Sequence, residues 1–288
     1  MRHTSVVHST TLKVLLALAA EYYLLLHQVD ISSAYLNAHL DEEIYMSQPE
    51  GFIDTNNRKK VLNFKKSLYG LKQSGRVWNK HLNSVIESFG LRSFQHDPCI
   101  YINKSFNTQL LVAVYVDDII ICSNNAKSIE NFKLQLQIKV KVVDKGPLHY
   151  FIGLEIERDE ITGSIKVNQR KFINELLTEY NMLSCRTRST LLDPGTVFVC
   201  IKDNCMRNNT TRYQSLIGSL LFLAKHSKPD IIHTVSKLAQ FNCDPHLEHF
   251  NMVKSVLRYL KSTIDIGLSF ESSDKPLECY SDADFCGP

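Results

Sequence analysis

Two adjacent carboxylates between two apolar runs constrain this chain more than any other feature. Residues 110–116 are apolar up to Tyr115-Val116, Asp117-Asp118 follow, and residues 119–122 are apolar again. Two short strand-like runs around a tight polar step predict a β-hairpin with the aspartates at its bend. Neighbouring strand residues point to opposite faces, so one carboxylate can project into a site while the other turns away or bridges to it. A carboxylate pair held on strands suits hard divalent cations, which take oxygen ligands. Asp is equally at home in a plain solvated turn, so the pair alone decides nothing.

A third carboxylate lies upstream. Val14, Leu15, Leu18, Ala19 and Tyr22 recur at three- and four-residue spacing, which predicts a helix over residues 11–23. A run over residues 24–30 follows and ends at Asp30. A lone Asp in such a place is commonly a helix cap. On a strand beside the hairpin it would instead complete a site able to bridge two cations. Two-metal phosphoryl transfer asks for little beyond carboxylates, positioning and a hold on nucleic acid.

The formal charge is only +3, so the chain as a whole is not a strongly basic binder. Its distribution is more informative. Residues 55–86 contain no Asp or Glu, yet hold Arg58, Lys59, Lys60, Lys65, Lys66, Lys72, Arg76 and Lys80, interleaved with Phe64, Tyr69 and Trp78. Basic groups neutralise phosphates and aromatic faces stack on bases; a solvated basic face is the plain alternative. Lys254, Arg258 and Lys261 share one side of a predicted helix whose other side carries Met252, Val253, Val256, Leu257 and Leu260. That helix suits a nucleic-acid duplex or an ordinary amphipathic surface.

The length of 288 residues suggests about two domains. Strand signals fall at residues 109–122, 139–143, 151–156 and 164–167, the last two joined by a turn at 158–163. Helical patterns fall at 76–89 and 127–138, then at 168–180, 211–226, 229–241 and 246–262, with an Asn-rich loop at 202–210. The eight cysteines contain no Cys-x-x-Cys pair, so no disulfide framework is implied and an intracellular, non-secreted setting is expected. Cys243, His246 and His249 have zinc-like spacing, but Pro245 and the lack of a fourth ligand speak against a site. The apolar run at residues 14–20 is at the short limit of a signal-peptide core and is read instead as part of the first helix; no segment approaches the length of a membrane span, so no membrane partner is expected.

Many short segments occur in one order along the chain. They are His27-Gln28-Val29-Asp30, Ala34-Tyr35-Leu36-Asn37, Glu42-Glu43-Ile44-Tyr45-Met46, Gln48-Pro49-Glu50-Gly51-Phe52 and Ser67-Leu68-Tyr69-Gly70-Leu71-Lys72-Gln73. Tyr115-Val116-Asp117-Asp118, Phe151-Ile152-Gly153-Leu154-Glu155-Ile156, Tyr213-Gln214-Ser215-Leu216-Ile217-Gly218-Ser219-Leu220, Lys228-Pro229-Asp230-Ile231 and Leu257-Arg258-Tyr259-Leu260-Lys261 follow. Together they resemble the reverse transcriptase region of the Pol polyprotein of copia-type long-terminal-repeat retrotransposons.

The resemblance implies an α+β fold: a right-hand polymerase palm and fingers with an antiparallel sheet over residues 1–157, then a mainly helical thumb-like region over 158–275. It implies metal-binding catalytic roles for Asp30, Asp117 and Asp118, with two Mg²⁺ ions or Mn²⁺ in their place. Tyr35 matches the aromatic gate that excludes a ribose 2′-hydroxyl. Gln73 matches the nucleotide contact, with Lys72 and Arg76 beside it, and Gly153 and Glu155 fall in the segment resembling the primer grip. Lys65, Lys66 and Arg258 become nucleic-acid contacts. The expected partners are an RNA or DNA template-primer, deoxynucleoside triphosphates, and integrase and ribonuclease H domains of the same polyprotein. A cytoplasmic virus-like particle or the nucleus is the expected location.

The chain also departs from the family pattern. The Ala-Pro-Arg expected after Gln73 is Ser74-Gly75-Arg76, and the arginine expected before Pro-Asp is replaced by Ser227-Lys228. The family's upstream fingers segment is absent from the sequence, and Asp282 matches only the first ligand of a ribonuclease H site beginning near residue 276. No nuclease activity is expected. A non-catalytic element remnant that at most binds nucleic acid is the alternative reading.

Overall fold

The computed structural model describes residues 6–103, 110–193, 195, 210–273, 275 and 278–280. Helix α1 (Ser9–Glu21) leads into strand β1 (Leu25–Ile31). A small hairpin follows, β2 (Tyr45–Ser47) and β3 (Val61–Asn63), and then helix α2 (Ser74–Ser88). Strands β4 (Leu91–Ser93), β5 (Ile100–Asn103), β6 (Leu110–Tyr115) and β7 (Asp118–Ser123) come next, then α3 (Ala126–Lys139) and β8 (Val142–Pro147). Strands β9 (Tyr150–Phe151), β10 (Leu154–Arg158) and β11 (Ile165–Asn168) precede helices α4 (Arg170–Glu179), α5 (Thr210–His226), α6 (Ile232–Ala239) and α7 (Leu247–Ser262). Strand β12 (Leu268–Phe270) closes the described order.

The fold is mixed, with antiparallel sheets and seven α-helices among the described residues. The main sheet runs β4-β5-β6-β7-β1-β8 and is antiparallel throughout. Both of its faces are covered, which explains why β6 and β7 read as continuous apolar runs rather than as alternation. Val112, Val114, Ile119 and Ile121 pack with Trp78, Leu82 and Ile86 of α2 and Phe132 and Leu136 of α3. Ala113, Ile120 and Cys122 face the other way, onto Leu12, Leu16 and Ala19 of α1 and onto Phe151, Leu154 and Ile165 of the smaller sheet. That sheet has the order β12-β11-β10-β9. Helices α4 to α7 enclose a separate core around Tyr213, Leu220, Val235 and Leu257.

Several sequence expectations need correction. The buried face of α1 is Leu12, Leu15, Leu16, Ala19 and Ala20, while Val14, Leu18 and Tyr22 are exposed. The helix is apolar on more than one side, so spacing alone picks the wrong stripe. The alternation at 139–143 is not a strand of its own. Helix α3 continues to Lys139 because Ile129, Phe132 and Leu136 bind it to the sheet, and β8 begins at Val142. The run at 151–156 breaks into β9 and β10 at Ile152-Gly153, whose positive φ values of 44° and 82° make a tight hairpin turn. The pattern at 229–241 starts as a 3-10 turn, Pro229–Ile231, before α6. Strands β2, β3, β4, β5 and β12, of three or four residues each, carry too little periodicity for the sequence to mark them. Gln109, most of the 202–210 loop and Asp282 lie outside the described residues.

Candidate active site

Strand β1 lies between β7 and β8, and its register sets Asp30 directly opposite Asp118. Opposed residues of an antiparallel pair project on the same face, with Cβ atoms about 5 Å apart. Asp117 occupies the turn, and its carbonyl accepts the Ile31 amide at 2.8 Å. Asp30 and the distant Asp117-Asp118 pair therefore meet at one end of two neighbouring strands. All three are half-buried.

The turn that presents them is strained. Val116 has a φ of 57°, a left-handed value that a β-branched side chain rarely adopts. Such outliers persist only where surrounding structure over-determines them. Here the Val116 carbonyl accepts the Trp78 indole N–H at 2.7 Å, and Trp78 is fully buried. On the strand just before the turn, Val7 donates its amide to the Val114 carbonyl at 3.0 Å, and Val6 bridges Tyr115.

Asp118 is the carboxylate most affected by its surroundings. Burial pushes its pKa up, and repulsion from Asp30 and Asp117 adds to that. Gln28 opposes the shift by donating Nε2 to Asp118 Oδ1 at 2.9 Å. Lys145 opposes it as well, through its charge. The register between β1 and β8 shifts beside Lys145: Val29 pairs with Asp144 and Gln28 with Gly146, so Lys145 is the extra residue of a bulge. Asp144 holds the bulge by accepting the Gly146 amide at 2.9 Å and Lys133 Nζ at 2.9 Å.

Among the described residues, no three His, Cys, Asp or Glu side chains are gathered as a ready metal cage. Mg²⁺ does not require one, since it is commonly held by one or two carboxylates plus substrate phosphates and water. The donor set fits such an ion. Burial first, and then repulsion from Asp30 opposite and Asp117 at the turn, raise the pKa of Asp118, and added positive charge would relieve that repulsion. In the Cys243, His246 and His249 stretch the two histidines form the start of α7. His246 and His249 are buried, and His249 Nδ1 accepts the His246 amide at 3.0 Å to cap α7.

Tyr35 sits in a 3-10 turn, Ala34–Asn37, that starts just after β1. Ser33 enters the turn in the left-handed conformation, and Asn37 Nδ2 holds it by bonding the carbonyls of Ser33 and Ala34 at 3.1 and 3.2 Å. The Tyr35 ring is half-buried against the core of the main sheet. Its outer neighbour is Tyr69, with ring centroids 4.5 Å apart. Burial raises the Tyr69 pKa, and the nearby charges of Asp117 and Asp30 raise it further. Tyr69 thus senses the charge of the aspartates.

Gln73 immediately precedes α2, with Lys72 and Arg76 exposed beside it. Ser74, one of the departures noted above, is buried and donates Oγ to the Leu68 carbonyl, closing the loop in front of α2. Gly153 occupies the β9–β10 turn, covered by Phe222 of α5. The Glu155 carboxylate accepts the Lys171 amide at 2.8 Å and pairs with Arg170 at 3.7 Å, so it ties β10 to the start of α4. Lys65 and Lys66 are exposed just beyond the β2–β3 hairpin, and Arg258 is exposed on α7. Lys261 of the same helix is committed to the Cys185 carbonyl at 2.8 Å. Sequence reasoning did not single out Lys145, met Gln28 only inside a motif, and read Trp78 and Tyr69 as stacking aromatics of the basic stretch, whereas Trp78 is fully buried.

Comparison with known proteins gives a consistent picture. Residues 2–193 match the family described as reverse transcriptase (RNA-dependent DNA polymerase). The chain is 34% identical over 98% of its length to the retrovirus-related Pol polyprotein from transposon TNT 1-94 of Nicotiana tabacum, covering 22% of that protein. It is 32% identical over 98% of its length to the retrovirus-related Pol polyprotein from transposon RE1 of Arabidopsis thaliana, covering 19% of it. A putative transposon Ty5-1 protein of Saccharomyces cerevisiae is 30% identical over 88% of the chain, which covers 82% of that protein. The chain thus spans about a fifth of the plant polyproteins it matches.

Proposed function

The chain belongs to the reverse transcriptase family, of the kind found in copia-type Pol polyproteins, and from that premise we propose that it is the RNA-directed DNA polymerase region of such a polyprotein. The reaction joins the primer 3′ oxygen to the α-phosphorus of a deoxynucleoside triphosphate and releases pyrophosphate. The observation that carries the reading is the register of Asp30 against Asp118, with Asp117 at the adjoining turn. Two Mg²⁺ ions, or Mn²⁺, would supply activation of the primer hydroxyl and neutralisation of the triphosphate.

Asp30 and Asp117 would hold both ions, with Asp118 in support. Gln28 keeps Asp118 oriented through one oxygen and leaves the other available. Trp78 holds the turn so that the carboxylates need little rearrangement when substrate arrives, which is the main electrostatic economy of such sites. Tyr35 would wall the sugar, and Lys72, Gln73 and Arg76 at the start of α2 would meet the nucleotide and its phosphates. Lys65, Lys66 and Arg258 would neutralise template-primer phosphates, and Gly153 and Glu155 would shape the primer side.

On this reading residues 1–157 form palm and fingers, residues 158–275 a thumb-like region, and residues 276–288 the start of a ribonuclease H domain. Integrase and ribonuclease H would be the neighbouring domains of the intact polyprotein, acting in a cytoplasmic particle or the nucleus. Primer extension on an RNA template tests the proposal directly. The wild-type chain extends primer with Mg²⁺, and Asp117→Asn binds template-primer without extending it. Wild-type binding without extension would favour a non-catalytic remnant, and equal extension by both proteins rules out the assigned carboxylates.

A further inference from the structure

Tyr69 is 56% exposed, yet it is not a stray surface ring. Its ring lies against Tyr35 at 4.5 Å between centroids, tilted by 52°. The chain on either side is anchored to the turn that carries Tyr35. His39 bridges Lys66, and the Ser67 amide donates to the Ala38 carbonyl at 2.9 Å. Ser67 is fully buried, and Ser74 reaches back to the Leu68 carbonyl. Gly70 has a φ of 96°, so the chain turns away directly after Tyr69 and leaves its ring projecting. One flank of Tyr35 is packed on the protein core, and Tyr69 covers another.

A gate residue discriminates only if its ring cannot swing aside. Rotation of a tyrosine about its first side-chain bond is restrained by what touches its flanks, and an aromatic pair supplies such restraint with a defined geometry. We propose that Tyr69 is a positioning residue for sugar selection: it holds the Tyr35 ring across the nucleotide site, so that the pair, not Tyr35 alone, excludes ribonucleotides. The inference rests on the polymerase reading above. The electrostatic coupling of Tyr69 to Asp117 and Asp30 is consistent with a ring at the edge of the same site.

Steady-state primer extension with a deoxynucleotide and the matching ribonucleotide, on wild type, Tyr69→Phe and Tyr69→Ala, tests the inference. Tyr69→Ala lowers the deoxy-over-ribo preference by about tenfold, the upper range of one aromatic contact. The change lies in a lower KM for the ribonucleotide, with kcat for the deoxynucleotide nearly unaltered. Tyr69→Phe keeps the ring and restores the preference. Thermal unfolding of both variants verifies that this exposed loop position leaves the fold intact. An unchanged preference in Tyr69→Ala overturns the inference, as does a loss equal for both sugars. A wild-type chain that extends no primer overturns the polymerase reading itself, and this inference with it.

Discussion

Trp78 donates its indole N–H to the carbonyl of Val116 at 2.7 Å, and so joins the core of α2 to the strained turn between β6 and β7. The donor is fully buried. The bond therefore does two things: it satisfies an indole with no water to turn to, and it holds a β-branched residue at positive φ where Asp117 must be presented.

Trp78→Phe keeps most of the apolar volume and removes the donor. The cost should be about 1–3 kcal/mol, the range for leaving a buried polar partner unpaired. Urea unfolding measures it. Primer extension should fall by more than the loss of folded protein explains, because the turn is then free to relax. Unaltered extension with full loss of stability would confine Trp78 to the core.

Asp118→Asn separates stability from chemistry. Burial, with repulsion from Asp30 and Asp117, raises the folded pKa of Asp118 above its unfolded value. A raised folded pKa means stability that is present below the unfolded pKa and lost as pH rises through the folded one. At neutral pH the ionised side chain therefore weakens the fold. Asn keeps an oxygen for Gln28 and carries no charge. The variant should melt at a higher temperature than wild type at pH 7, and the gap should close on acidification. Extension should fall sharply. A lower melting temperature at pH 7 would show that Asp118 is not held against its neighbours.

The hairpin was legible because its evidence is local: two apolar runs with Asp117-Asp118 between them read as strands and a turn. The helices of the second half were legible for the same reason, since one face of each is apolar at helical spacing. Sheet order was not. Nothing in residues 25–31 says that β1 pairs with β7, yet the register of that pairing is what brings Asp30 to Asp118. The hydrogen bonds of Gln28 and Trp78 were hidden for a related reason, although both residues stood in stretches the sequence marked. Their partners are 90 and 38 residues away, and a lone Gln or Trp carries no periodicity that names a partner. The bond of the Glu155 carboxylate to the Lys171 amide at the start of α4 was hidden in the same way, since nothing in its motif names that partner.

Gly153→Ala addresses the β9–β10 turn. A Cβ at this position would lie 3.5 Å from the Phe222 ring, an ordinary contact. The obstacle is the φ of 82°, not space. Forcing an L side chain into that region costs about 1–2 kcal/mol. Because β9 and β10 carry Phe151 and Leu154 into the core beneath the main sheet, the cost should appear in global unfolding. A variant as stable as wild type would mean that the turn can adopt another conformation.

Lys133 offers a pH-resolved test of the joint between α3, β1 and β8. It is buried, with Nζ 2.9 Å from Asp144, 3.0 Å from Glu130 and 2.9 Å from His27 Nδ1. Burial alone would lower its pKa, but the bonds to Asp144 and Glu130 outweigh that and raise it. For Asp144, burial acts upward and is outweighed by the bonds from Lys133 and the Gly146 amide, so its pKa falls. The His27 pKa is lowered first by burial and then by Lys133. Groups with depressed folded pKa values contribute stability above their unfolded values that is lost as pH falls. Wild type should therefore weaken in two windows, below about pH 6.5 as His27 resists its proton and below about pH 4 as Asp144 does. Lys133→Met fills the site without charge. Asp144 is 41% exposed and Glu130 58%, so water can take over much of their pairing, and the loss at pH 7 should be only about 1 kcal/mol. The sharper signature is the titration of His27, which should move upward in the variant when followed by NMR, with a shallower stability loss near pH 6. An unmoved His27 would show that burial alone, not Lys133, keeps it neutral.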